Sequence, residues 1–156
     1  MSLQQNMVTG AMGGIVGALA MSSIRLVGKQ VGLVPESLPH KVARKVALGA
    51  GMTGLGAHQV DAFARGQHLA LGASYGAGYG LLHGALDLPP MLDGPLYGLA
   101  VYTINLTGLG PALNLEQGPW VKKSSFTGRQ ILIHLVFGFV TAVIYTVISN
   151  EDSGKQ

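Results

Sequence analysis

The chain has 156 residues, enough for one domain, and only 11% are charged, where soluble domains usually carry about 25%. It has no cysteine, which excludes disulfides, iron–sulfur clusters and cysteine-type zinc sites. The net charge is +3, and the sequence shows no basic face with the base-reading side chains that a nucleic-acid partner requires.

Four stretches lack any charged side chain: 1–24, 66–86, 94–115 and 130–150. Each has the roughly 20 residues that cross a hydrocarbon core about 30 Å thick as a helix. The sequence therefore predicts an all-α membrane protein with four transmembrane helices, at about 7–27, 67–87, 93–114 and 128–149. The first span carries Gly10-xxx-Gly14 and Gly13-xxx-Gly17. Ala18-Leu-Ala20 resembles a signal-peptide cleavage site, but no Lys or Arg precedes the apolar run, so the run reads as a retained span.

Between the first two spans, ESLPHKVARKVALG (36–49) puts Lys41, Arg44 and Lys45 on one helical face, with Val42 and Val46 elsewhere. Such a basic amphipathic helix suits the surface of an anionic leaflet, and Pro39 is tolerated in its first turn. The glycine-rich AGMTGLGAHQVDAF (50–63) reads as a short helix or an interfacial loop.

In the second span Gly72, Gly76, Gly80 and Gly84 recur at every fourth position. Helices in lipid associate by close backbone contact rather than hydrophobic burial, and small residues four apart permit it. The third span has Gly94-xxx-Gly98 and the fourth Gly138-xxx-Ala142, so all four are expected to pack into one bundle. Asn105, between Thr103 and Thr107 near the middle of span three, reads as an interhelical hydrogen-bonding residue. The alternative is a polar lining for a solute path. Trp120, beside Lys122 and Lys123, reads as an interfacial anchor.

Nine of the ten Lys and Arg fall in the connections between the first and second or between the third and fourth charge-free stretches; the other side has only Lys155, with Asp87, Asp93, Glu151 and Asp152. The positive-inside rule then places both connections in the cytoplasm and both termini outside.

Residues 68–79 (HLALGASYGAGY) and 134–145 (HLVFGFVTAVIY) share the pattern H-L-x-x-G-x₆-Y. The preceding spans end in Gly32-Leu-Val-Pro35 and Gly108-Leu-Gly-Pro111. Two helical hairpins related by a pseudo-two-fold along the membrane normal are expected.

Several segments together resemble the YagU-like group of uncharacterised bacterial inner-membrane proteins. They are GAMGGIVGALAMSSIRL (10–26), VPESLPHKVARKV (34–46), HLALGASYGAGYGLL (68–82), GPLYGLAVYTINLTGLGPALNL (94–115) and HLVFGFV (134–140). The resemblance implies a small polytopic protein of the bacterial inner membrane, with periplasmic termini given the charge asymmetry. It implies no catalytic residues.

His68 and His134 start their spans from the same side. They read as helix-bridging polar groups; the alternative is a bis-histidine b-type haem site with glycines one turn deeper. His83 near Asp87 gives at most two metal ligands, too few for a site. No hydrolase, metalloprotease or phosphate-loop motif is present. The expected function is non-enzymatic and needs no cofactor: a polytopic accessory subunit or self-associating bundle, partnered by lipid and other transmembrane helices. The alternatives are a haem or quinone-linked electron carrier using His68 and His134, and a small channel or transporter lined by Asn105, Thr103, Tyr75 and Tyr79.

Overall fold

A computed structural model describes residues 1–30, 38–86 and 88–153. They form helices with no strand among them: α1 (Leu3–Gln30), α2 (Leu38–Gly49), α3 (Ala57–Leu86), α4 (Pro90–Tyr102), a π-helix (Thr103–Leu109), the short α5 (Gly110–Ala112) and α6 (Ser124–Ser153). Within α1 and α6, Leu3–Gly28 and Ser124–Glu151 are long and apolar enough to cross a membrane. The expected spans 7–27 and 128–149 lie inside them. The expected span 67–87 lies in α3, except Asp87, which is outside the described residues. The expected span 93–114 runs through α4, the π-helix and α5.

The glycines set which helices touch. A Cβ on Gly76 would lie 2.7 Å from the Gly14 Cα, and one on Gly72 would lie 2.6 Å from the Ala18 Cβ. Gly80 meets the Asn6 backbone in the same way, so α1 and α3 run antiparallel in backbone contact. On the opposite flank, Cβ atoms on Gly94 and Gly138 would lie 2.6 Å from the Ala142 Cβ and the Gly98 nitrogen. This makes α4 and α6 a second antiparallel pair. The pairs join where Gly13 and Gly17 of α1 seat against Thr141 and Phe137 of α6. Thr141 is fully buried and returns its hydroxyl to the Phe137 carbonyl at 2.8 Å.

The two hairpins are thus present, but their relation is lopsided. A two-fold would make the α3–α4 seam equivalent to the α1–α6 seam. Glycine lets α1 touch α6, whereas Tyr75, Tyr79 and Tyr97 stand between α3 and α4 and hold them apart. The bundle is closed on one side and filled by rings on the other.

The π-helix follows from its polar side chains. Thr103 Oγ1, Asn105 Nδ2 and Thr107 Oγ1 each donate to the carbonyl four residues back, those of Leu99, Val101 and Thr103. Such back-bonding loosens and bends a helix, and here the Gly110 N–H reaches the Asn105 carbonyl five residues back. The helix stops at Asn114, whose φ of 52° is left-handed. Leu115 N–H bonds to the Gly110 carbonyl and Asn114 N–H to that of Pro111, the paired bonds of a Schellman cap.

The amphipathic helix is α2, Leu38–Gly49, with residues 36 and 37 outside the described residues. Its buried Ala43 and Ala47 lie on the side packed against α3, where Val60 and Ala64 are buried too. The 50–63 segment is loop to residue 56 and helix from Ala57. Gly51 and Gly54, at φ 77° and 84°, make the turns that an L side chain would strain.

Candidate functional site

Two neighbouring stripes run along α3. Gly72, Gly76 and Gly80 face α1; one position earlier, Leu71, Tyr75, Tyr79 and His83 repeat at the same spacing toward α4. From α4 and the π-helix that continues it, Asp93, Tyr97, Val101 and Asn105 also repeat at four. The two ring-bearing stripes mesh as a polar seam. At its far end the Tyr79 hydroxyl donates to Asp93 Oδ1 at 2.8 Å, and His83 Nδ1 closes on Asp93 Oδ2. Asp93 is completely buried while the His83 side chain is 25% exposed. A carboxylate in the first turn of α4 also gains from the helix dipole. Tyr97 and Tyr145 meet the Tyr79 ring edge-on at 5.3 and 5.5 Å. Farther along, the Tyr97 hydroxyl donates to the Tyr75 carbonyl at 2.5 Å and the Tyr75 hydroxyl donates to Asn105 Oδ1 at 2.8 Å.

The seam opens, at the end nearest α2, into a cavity of about 370 Å³, within the 300–1,000 Å³ range of ligand pockets. Its walls are mainly apolar: Met21, Leu71, Val101, Leu106 and Phe137, with Val42 and Val46 of α2 across one end. Polar groups enter from different helices. Arg25 comes from α1, His68 from α3, Asn105 from the π-helix and His134 from α6. His134 is buried, donates Nδ1–H to the Gln130 carbonyl at 2.7 Å and packs edge-on against Tyr102. The buried His68 Nε2 has no hydrogen-bond partner among the described residues. Arg25 lies within electrostatic reach of both imidazoles. The cavity's carboxylate, Glu116, is held by Lys122 at 2.5 Å.

Both histidines singled out from the sequence thus line one cavity. Asn105 both bridges to α3 and lines the cavity. Thr103 is exposed and bonds back to its own helix, so it does not line the interior with Tyr75; the side-chain bond to Leu99 explains this. Tyr79 is buried in the seam. Gly72, Gly76, Gly80, Gly94 and Gly98 all sit at close helix contacts within the chain. The surroundings of Gly84 and Lys41 lie outside the described residues. Arg44 and Lys45 are exposed and line a groove with Trp120, and Lys45 Nζ donates to the Asn114 carbonyl.

Two participants escape a motif-based reading. Arg25 counts there as a loop charge, yet it continues the Gly14–Ala18–Met21 face by one turn. Asp93 counts as an outer charge, yet it heads the stripe through Tyr97 and Asn105. Helical spacing carries both signals. Among the described residues no cluster of three metal-ligating side chains occurs.

No curated protein and no solved structure matches the chain significantly. A family profile matches residues 4–156, and on that extent the chain belongs to DUF6789, a family of unknown function.

Proposed function

We propose that the chain is a four-span protein of the bacterial inner membrane, with periplasmic termini, that binds a small, largely apolar molecule without transforming it. The single observation that carries the binding role is the cavity of about 370 Å³, apolar in its walls and reached by polar groups from separate helices. Ligand sites commonly take this form. The membrane setting draws support from the outer surface. Val8, Met12, Ile15 and Leu19 on α1, Leu81 and Leu82 on α3, Leu92, Leu96 and Leu99 on α4, and Leu132, Phe139 and Val147 on α6 are all exposed. A soluble monomer rarely leaves so much apolar surface in water.

The glycine stripes are used inside the chain, so an accessory or self-associating role would draw on these outer apolar faces instead. Kinship with the YagU-like group belongs to the same proposal. A second reading, a b-type haem carrier, is favoured by one geometric fact: His134, with its Nδ1 committed to a carbonyl and its Nε2 outside that bond, lines the same cavity as His68.

Extraction into polymer-bounded native discs, followed by mass spectrometry of retained small molecules, tests the binding role. Wild type is expected to retain a colourless apolar molecule, and Leu106→Trp, whose larger ring takes up part of the cavity, to retain less of it. A stoichiometric Soret band would replace this reading with the haem carrier. An empty wild-type protein would remove the binding role.

A further inference from the structure

The cavity has a sign as well as a shape. Arg25, His68 and His134 enter it from three helices, and its carboxylate is engaged by Lys122 at 2.5 Å. A guanidinium beside apolar walls needs a partner, because an unpaired charge out of water is costly. His68 Nε2 is an additional polar atom with no partner among the described residues. Carboxylate and phosphate are the groups that a guanidinium engages through two parallel hydrogen bonds. Away from this polar trio the walls are Leu71, Val101 and Phe137, suited to a hydrocarbon chain.

We propose that the cavity binds an anionic amphiphile, with a carboxylate or phosphate head at Arg25 and an acyl or comparable chain against Leu71, Val101 and Phe137. This rests on reading the cavity as a ligand pocket. Arg25 contributes charge and paired hydrogen bonds, and the apolar wall the burial of the chain's methylenes. A neutral analogue of the same chain would gain the last contribution and lose the first.

The test compares a sixteen-carbon fatty acid bearing a chain diazirine with its methyl ester, each photolysed with the full-length protein in nanodiscs of zwitterionic lipid. Labelling at the buried Val101 and Phe137 is normalised to labelling at the outward-facing Leu132, which cancels partitioning into the disc. The expected result is a normalised yield about tenfold higher for the acid. Arg25→Gln should bring acid and ester level, and Arg25→Lys should keep part of the preference. A phosphate-headed lysolipid with the same diazirine chain identifies which head is preferred, and stronger labelling by either anion supports the proposal. Equal pocket labelling by acid and ester in wild type overturns the anionic head and leaves the pocket standing. Labelling by both probes at Leu132 alone overturns the pocket, and the proposal with it. Unchanged thermal midpoints of the Arg25 variants show that a lost preference is not lost folding.

Discussion

Tyr79 and Asp93 lie on different helices, 14 positions apart, yet the hydroxyl of one donates to the carboxylate of the other at 2.8 Å, and both are buried. This bond, with His83 on the other carboxylate oxygen, closes the end of the bundle where α3 turns into α4. Asp93→Ala would leave Tyr79 and His83 without their acceptor. We expect a loss of about 3 kcal/mol, read as a lowered thermal midpoint in detergent. Tyr79→Phe should cost less, about 1–3 kcal/mol, because His83 still faces the carboxylate. Equal midpoints for Asp93→Ala and wild type would show that the seam does not hold these helices together.

Glycine at the α1–α3 contact should be irreplaceable by a large side chain. A Cβ on Gly76 already falls 2.7 Å from the Gly14 Cα, so Gly76→Leu must push two backbones apart. Overpacking of that kind costs about 1–3 kcal/mol or more. The exposed Leu81 is the control, since Leu81→Ala should stay within about 0.5 kcal/mol. Thermal stability of the two variants in the same detergent decides the matter, and matched values would contradict a backbone contact.

The charge asymmetry gives a topological prediction. A reporter fused at Lys122 should be cytoplasmic and one fused after Glu151 external, because basic connections stay inside. The antiparallel pairing of α4 with α6 puts Lys122 and Glu151 at opposite ends of the bundle, and the charge asymmetry alone chooses which end is inside. A cytoplasmic reporter after Glu151 would refute four spans.

Replacing Lys41, Arg44 and Lys45 together by Gln should weaken contact with anionic lipid. Each charge near such a leaflet is worth about 1 kcal/mol, and Arg44 and Lys45 are exposed beside Trp120. Cross-linking to photoreactive phosphatidylglycerol is expected to fall at least tenfold. A yield that does not change would mean that this face of α2 meets water or protein.

Asn105 has a smaller part in stability than its position suggests. Its bond to Tyr75, at 2.8 Å, is of the interhelical kind that averages about 0.6 kcal/mol in membranes. Asn105→Ala should therefore shift the thermal midpoint only slightly. Because Asn105 also loosens the helix by bonding to the Val101 carbonyl, the variant should restore regular α-helical bonding at 103–109. Amide exchange across that segment would slow if so, and faster exchange would point the other way.

The sequence by itself determined the helices and which of their faces make close contacts. Charge-free runs of span length and glycines at every fourth position are local properties, and a backbone contact needs only a missing side chain on each partner. That is why Gly72, Gly76 and Gly94 could be read as contacts before any partner helix was known. The i, i+4 stripes through Tyr75, Tyr79 and His83, and through Asp93, Tyr97 and Asn105, were equally present in the letters. Their meeting was not, because spacing fixes the face of one helix and says nothing of what stands opposite. Only the tertiary structure decided that α1 touches α6 while tyrosines separate α3 from α4, breaking the symmetry that the repeat suggested. The same packing turned Arg25 inward beside His68 and His134, since a guanidinium at a helix end takes its surroundings from whichever helices close around it.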